Sequence, residues 1–341
     1  MTDQANGSAP LVKKDFVSNQ AIRWCPGCGD YSILSAVQNI LPTLGIPRED
    51  FVFVSGIGCS SRFPYYLKTY GFHGIHGRAA AIASGVKIAN PNLSVWVASG
   101  DGDSLAIGGN HLIHTLRRNV DINILMFNNR IYGLTKGQYS PTSEYGKRTR
   151  SSPYGTVDPP FNPILLALGS GATFVARTTD VSGQHLKETL ARAQAHRGTS
   201  FVEIYQNCNI FNNGAFKSIT ERAHRKDTQV ELAHGKPLVF GSEENKGLRF
   251  QSRDLEIVDI PESGNQTDGL FVHDEKAPSV AMASMLASLQ PPDFPLPIGV
   301  FRAVEAPTFD AAMADQIATV TAAEGPGKLE DLLEQGDVWE I

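Results

Sequence analysis

The chain has 341 residues, 41% of them hydrophobic and 19% charged, a composition typical of soluble globular proteins. A formal net charge of −5 at pH 7 gives no call for a nucleic-acid partner, and no apolar run approaches the ~20 residues that a membrane-spanning helix needs. The opening MTDQANGSAPLVKK is polar and lacks an apolar h-region, so a cytoplasmic protein is expected, with no nucleic-acid or membrane partner.

Residues 1–15 read as a flexible N-terminal arm, and KKDF at 13–16 as a solvated basic run. Asp30 is expected to cap a helix over 31–44 that stops before Gly45 and presents Ile33, Leu34, Val37, Ile40 and Leu41 on one face. Strands follow at 51–55 (FVFVS), 93–99 (LSVWVAS), 122–127 (INILMF), 173–177 (TFVAR) and 200–205 (SFVEIY). Helices fit 77–90, 105–118 and 183–196, and GKRTRSS at 146–152 reads as a second solvated basic loop. The strand runs are short, rich in β-branched or aromatic residues and mostly not alternating, as in strands buried on both faces. Alternation of strand and helix predicts a doubly wound, mostly parallel α/β sheet over about 16–210. Beyond 210 the texture changes. FNNGAFKSITERAHRKDTQVEL reads as loop and helix, GKPLVFGSEENKGLRF as a hairpin, and QPPDFPLPIGVFR as an extended Pro-rich segment. Residues 211–341 are therefore expected to be an extension that wraps the core or a partner subunit, not a second catalytic domain.

Two strand ends carry unusual polar residues. LSVWVAS runs into Gly-Asp-Gly-Asp at 100–103, and INILMF into Asn-Asn at 128–129. In an open α/β sheet, ligands bind beyond the carboxyl ends of the strands. A hard cation such as Mg²⁺ takes oxygen ligands. The Asp101 carboxylate, the Asn129 amide oxygen and the Ile131 backbone carbonyl supply such a set. Gly100 and Gly102 permit close backbone approach, and a helix starting near Ser104 points free N–H groups at an anion. The pattern predicts a metal–diphosphate site, against the plainer alternative of two ordinary strand-end turns.

The chain has 4 cysteines. Cys25 and Cys28 form CPGC, Cys59 lies in GIGCSS past the first strand, and Cys208 in QNCN past the last. In a parallel sheet Cys59, Asp101, Asn129 and Cys208 share one rim, over which CPGC can fold. A thioredoxin-like pair opens a helix directly after a strand, and no strand precedes Cys25. Structural zinc usually takes its ligands as two close pairs, whereas a [4Fe–4S] cluster tolerates scattered spacing. Spacing leaves those two open.

WCPGCGDYSIL, GIGCSSR, GFHGIHGRA, GDGDSLAIGGNHLIHTLRRN, NNRIYGLTKGQYSPT and FVEIYQNCN together resemble the β subunit of 2-oxoacid:ferredoxin oxidoreductases, the 2-oxoglutarate subgroup in particular. KPLVFG, VHDE and PLPIGVFR in the tail look like that family too. The Gly-Asp-Gly and Asn-Asn pair resembles its thiamine diphosphate motif. The resemblance implies CoA-dependent oxidative decarboxylation of a 2-oxoacid, 2-oxoglutarate to succinyl-CoA and CO₂, with one-electron transfers through a [4Fe–4S] cluster to ferredoxin. It implies that Cys25, Cys28, Cys59 and Cys208 hold the cluster and that Asp101, Asn129 and Ile131 hold Mg²⁺. Ile57, Gly58, Cys59, Ser60, His76, Gly77, Gly102, Asp103, Gly133 and Leu134 would line thiamine diphosphate. Taken alone, His76 reads as a structural histidine. Thiamine is activated by a Glu of a pyrimidine-binding domain, and no second α/β unit is legible here. The resemblance assigns that domain to a partner α subunit, often fused to a γ domain, in an (αβ)₂ heterotetramer.

Arg62 lies three residues past Cys59, on the rim, where a guanidinium can hold the distal carboxylate that 2-oxoglutarate has and pyruvate lacks. Leu134 would pack the methylene stem, and Lys136 is a second candidate cation. The alternatives are a pyruvate or broad 2-oxoacid enzyme, a cluster-free thiamine decarboxylase subunit, and a zinc-stabilised α/β binding module.

Overall fold

The structure is a computed structural model that describes residues 10–251, 254–261, 267–337 and 339. Among the described residues eleven strands are seen: β1 Phe51–Ser55, β2 Tyr70–His73, β3 Ser94–Gly100, β4 Asn123–Asn128, β5 Phe174–Thr179, β6 Ser200–Tyr205, β7 Gln229–Leu232, β8 Val239–Phe240, β9 Lys246–Gln251, β10 Asp254–Asp259 and β11 Leu296–Ala303. Eight of them form one sheet in the order β2-β1-β3-β4-β6-β5-β11-β7. All its pairings are parallel except β11 with β5. β8, β9 and β10 make a separate antiparallel sheet.

The non-alternating strands are covered on both faces. Val52, Val54, Val95, Val97, Ile124 and Met126 point into one core, with Ala79, Ala83, Leu112, Leu116, Ile164 and Leu286 from the helices above it. Their neighbours Phe51, Phe53, Trp96, Ala98, Leu125 and Phe127 point into the other, against Ile33, Leu34, Val37, Leu186 and Leu190. Period-2 geometry divides each run between two layers, which is why its apolar residues follow one another without alternating.

The five expected strands lie within a residue or two of β1, β3, β4, β5 and β6. Three strands of the main sheet were not expected. β2 is an exposed edge strand, and it has no apolar run. β7 and β11 come from beyond residue 210, so the sheet does not end there. β11 carries Pro297 and Gly299, and Gly299 has φ +109, where an added Cβ would lie 2.7 Å from the Leu232 carbonyl oxygen. The expected hairpin is β8 with β9.

Two helix readings are corrected. Asp30 is the first residue of the helix Asp30–Ile40 instead of its cap, and Gly29 at the cap position makes no side-chain bond. The carboxyl is turned toward Cys28 instead. The helix expected at 105–118 is two pieces, Asp101–Leu105 and Gly109–Arg118. The break falls where Gly108 packs against Gly77, with no room for a side chain on either. The helix at the Gly-Asp-Gly therefore starts at Asp101 and is five residues long.

Candidate active site at the carboxyl rim of the sheet

β1 sends the chain to β2 on one side, and β3 then lies on its other side, so the strand order reverses between β1 and β3. Loops diverge at such a point and leave a crevice. Cys59 follows β1, Asp101 follows β3, Asn129 follows β4 and Cys208 follows β6. The parallel pairing puts all four at one edge.

Asp101 is 2% exposed. Its Oδ2 accepts hydrogen bonds from Ser140 Oγ and Thr142 Oγ1, both at 2.6 Å. Burial pushes its carboxyl up from the ordinary value, and the two hydroxyls oppose that. Its Oδ1 takes no side-chain donor among the described residues. Asn129 Nδ2 donates to Gln206 Oε1 at 2.8 Å, and Asn129 Oδ1 accepts only from the Ile131 backbone N–H, at 3.2 Å. The Asn129 carbonyl is tied to Asn212 Nδ2 at 2.9 Å. Arg130 between them has φ +56, an uncommon conformation for a residue with a side chain. Its guanidinium is drawn off to the Phe216 ring, 4.6 Å from the centroid, and to Glu144 at 3.0 Å. One carboxylate oxygen, one carboxamide oxygen and a nearby backbone carbonyl are an all-oxygen set, which fits a hard divalent cation.

The neighbouring Asp103 behaves differently. It is 2% exposed and its oxygens are taken up by protein donors. Oδ1 accepts from His76 Nδ1 at 2.6 Å, Gly77 N at 2.7 Å and Ile57 N at 3.1 Å, and Oδ2 from Ser99 Oγ at 2.5 Å. Asp103 thus fastens the loops after β1 and β2 to the start of the Asp101 helix. Of the other expected cofactor contacts, Gly102 is covered by Tyr132, whose hydroxyl donates to the Gly102 carbonyl at 2.9 Å. The His76 side chain is 40% exposed. Ser60 is buried, Ile57 and Leu134 are exposed, and nothing lies near the Cβ position of Gly58.

The four cysteines are free thiols. A Cβ on Gly133 would lie 3.4 Å from Cys208 Sγ and 3.8 Å from Cys59 Sγ, so those two sulfurs flank one point. The CPGC loop is stitched to the Cys208 loop by Gly29 N to the Asn207 carbonyl at 3.1 Å and Asn209 Nδ2 to the Pro26 carbonyl at 2.7 Å. Trp24 Nε1 donates to the Cys59 carbonyl at 2.7 Å. Burial pushes the Cys28 thiol far up and Cys59 up to about 12, with Asp30 and the other cysteines adding repulsion. Thiols held in that state give up protons when a metal binds them. Among the described residues, no three His, Cys, Asp or Glu groups are arranged to share a single metal ion.

The Arg62 side chain donates to the Arg23 carbonyl at 3.1 Å, beside Cys59. Lys136 is exposed with φ +76, on the turn that carries Leu134. A cavity of about 410 Å³ opens by Leu105, Tyr132, Ser140 and Phe161. A cleft of about 510 Å³ between Ser182–His185 and Arg225–Lys226 is lined by none of the expected site residues.

Residues 56–204 match the family described as thiamine pyrophosphate enzyme, C-terminal TPP binding domain. The chain is 49% identical to the 2-oxoglutarate oxidoreductase subunit KorB of Mycobacterium tuberculosis, over 97% of this chain and 89% of that one. The chain belongs to the β subunits of the 2-oxoacid:ferredoxin oxidoreductases. Within that family it is also 41% identical to the 2-oxoglutarate synthase subunit KorB of Archaeoglobus fulgidus, over 64% of this chain and 82% of that one. Its fold matches a solved 2-oxoglutarate:ferredoxin oxidoreductase from Magnetococcus marinus with 2-oxoglutarate, coenzyme A and succinyl-CoA bound. That match has a TM-score of 0.76 and 33% identity, over 97% of this chain and 98% of the other. No helix among the described residues is long and apolar enough to cross a membrane.

Sequence reasoning missed Ser140, Thr142, Asn128, Gln206 and Asn212. YSPT and QNCN stood inside the motifs that carried the resemblance, but side chains of these types in loops are common, and only the fold brings them to Asp101 and Asn129.

Proposed function

We propose that the chain is the β subunit of a cytoplasmic 2-oxoglutarate:ferredoxin oxidoreductase. The reaction joins 2-oxoglutarate, coenzyme A and two oxidised ferredoxins to give succinyl-CoA, CO₂, a proton and two reduced ferredoxins, and low-potential ferredoxin permits the reverse. What supports the reading is one rim that bears an all-oxygen cation set beside the Cys59 and Cys208 sulfurs, with the CPGC loop stitched to the Cys208 loop, in a chain 49% identical to a 2-oxoglutarate oxidoreductase subunit along 97% of its length.

Asp101, Asn129 and the Ile131 carbonyl would hold Mg²⁺ on the diphosphate, with Ser140 and Thr142 fixing the carboxylate. Cys25, Cys28, Cys59 and Cys208 would hold a [4Fe–4S] cluster. A cubane spreads its four ligands further apart than one ion does, so these thiols need not meet at a single point to hold one. Bound, thiamine diphosphate supplies an electron sink for decarboxylation and the cluster a one-electron outlet to ferredoxin. This chain's own residues align and shield these groups. Asp103 holds His76 and the Ile57 loop in register with Asp101, and Gly133 leaves room beside the Cys59 and Cys208 sulfurs. The activating Glu would come from a partner α subunit, alone or fused to a γ domain, in an (αβ)₂ assembly.

Arg62, Leu134 and Lys136 would read the distal carboxylate and stem of 2-oxoglutarate. The test is CoA-dependent ferredoxin reduction by the assembled enzyme with 2-oxoglutarate and with pyruvate. 2-Oxoglutarate should have the higher kcat/KM. In Arg62→Leu its kcat/KM should fall by roughly ten- to hundredfold, as for a lost charged hydrogen bond, with little change for pyruvate. Equal losses on both acids would assign Arg62 to the Cys59 loop and not to the substrate.

A further inference from the structure

We infer that Gln206 couples the two centres: its side chain joins Asn129 to Cys28, so that loading the metal–diphosphate site raises the reduction potential of the cluster. The inference rests on the function proposed above.

Gln206 directly follows β6 and is 1% exposed. Its Oε1 accepts from Asn129 Nδ2 at 2.8 Å. Its Nε2 donates to Cys28 Sγ at 3.3 Å and to the Asn207 carbonyl at 2.7 Å. Its backbone N–H donates to the Asn128 carbonyl at 2.9 Å, which fixes the side chain's origin against the Asn-Asn turn. One carboxamide therefore bridges a cation ligand and a cluster ligand. The other ties between the two regions stop at backbone atoms. Asn212 reaches the Asn129 carbonyl through its side chain and the Cys208 carbonyl through its own N–H, at 3.0 Å. Asp30 also meets Cys28, but Gln206 is the side chain that donates an N–H to that sulfur and at its other end holds a cation ligand.

The direction of coupling follows from amide electronics. A cation on Asn129 Oδ1 draws electron density out of that carboxamide, so its Nδ2–H becomes a stronger donor to Gln206 Oε1. That withdraws density from the Gln206 amide in turn and strengthens its N–H toward Cys28 Sγ. Hydrogen bonds in a chain polarise one another, by perhaps ~10–30% per bond. Donors to the ligand sulfurs are among the levers that set a cluster's potential, because they favour the more negative, reduced form. Electron density is redistributed along the chain of bonds, and no proton or electron crosses Gln206.

Coupling of this kind is reciprocal. If the reduced enzyme binds Mg²⁺ and thiamine diphosphate roughly tenfold tighter than the oxidised enzyme, the cofactor raises the one-electron potential by about 59 mV. An enzyme lacking its cofactor then has the more reluctant cluster, and a loaded one is readier to accept an electron.

The experiment is a redox titration of the assembled complex followed by electron paramagnetic resonance, with and without Mg²⁺ and thiamine diphosphate, on the wild type and on Gln206→Met. Met keeps the length of the side chain and removes its bonds to Asn129, Cys28 and the Asn207 carbonyl. The wild type should shift to higher potential on loading. The variant should start lower and shift less. In the wild type, calorimetric affinities in the oxidised and reduced states should differ by the factor that the shift requires. The wild-type comparison needs no variant, so no shift on loading overturns the coupling even where Gln206→Met fails to assemble. Equal shifts in both proteins overturn the role of Gln206. Wild-type protein without iron, or without Mg²⁺-dependent cofactor binding, would instead overturn the functional reading beneath it.

Discussion

At the rim, Asp101, Asp103, Asn128 and Gln206 are each 2% exposed or less, and every one of them is hydrogen-bonded to a residue distant in the chain. In the C-terminal arm the helix Phe309–Glu324 buries only Asp310. There Ile317, Val320, Leu329, Leu332 and Leu333 lie open, and Trp339 is 90% exposed. Burying polar groups is costly unless each is bonded, so a dense buried polar network is maintained only where the bonds are mutually consistent. The rim is such a network. Arg177 and Glu203, side by side on β5 and β6, form an ion pair at 2.7 Å that is almost wholly buried. Glu203 accepts from Asn128 Nδ2 at 2.7 Å, and Asn128 Oδ1 meets Thr142 Oγ1 at 3.0 Å. Thr142 leads to Asp101, so the carboxylate is braced from β5 and β6. Phe309 and Asp310 fasten the start of the arm to the core, and beyond them this chain leaves Ile317, Val320 and the leucines uncovered. Substitutions in the first region should propagate to cofactor binding, and changes in the second should not.

Asp101→Ala should produce the largest effect, complete loss of Mg²⁺-dependent thiamine diphosphate binding by the assembled enzyme, with the far-ultraviolet circular dichroism unchanged. Unaltered affinity by calorimetry would remove Asp101 from the site. Glu203→Ala leaves Arg177 charged and unpaired inside the protein, which costs about 3–5 kcal/mol. Denaturant unfolding measures this, and a loss under 1 kcal/mol would mean that the pair is not a brace. Thr142→Val keeps the volume and removes one of two hydroxyls on Asp101. Loss of a hydrogen bond to a charged group of this kind costs about 1.5–3 kcal/mol. Cofactor affinity should therefore drop by roughly ten- to hundredfold, with Ser140 retaining the remainder. Deleting residues 313–341 should do least. The cut spares Asp310, whose Oδ1 accepts from the Asp121 backbone N–H at 3.0 Å. Melting temperature and cofactor affinity should both be unchanged, and a large drop in either would show that the arm belongs to the core.

The same contrast explains what was legible beforehand. Strands covered on both faces announce themselves as mostly apolar, non-alternating runs, so β1, β3, β4, β5 and β6 could be read directly. β2 is exposed along its length, and β11 contains Pro297 and Gly299, so neither has that signature. The helix break at Gly108 depends on contact with Gly77, which no local pattern reports. Asp101, Asn129, Cys59 and Cys208 stood out because short motifs bracket them at strand ends that the parallel order puts together, and Cys25 and Cys28 because they form CPGC. Ser140, Thr142 and Gln206 did not, since nothing local distinguishes a Ser that meets Asp101 from one in a solvated turn. The reading of Asp103 as a cofactor contact followed its motif position, whereas the fold has its carboxylate occupied by His76, Gly77, Ile57 and Ser99.

The central claim is that the rim joins a thiamine site to a four-thiolate cluster. The measurement that tests it most directly is metal and sulfide analysis of anaerobically purified protein, wild type beside Cys208→Ser. The account predicts four irons and four acid-labile sulfides per wild-type chain, with a visible absorbance band near 400 nm, both lost or damaged in the variant because an alkoxide is a poor substitute for a thiolate. One zinc per chain with no iron or sulfide, or full iron and normal ferredoxin reduction in Cys208→Ser, would contradict it.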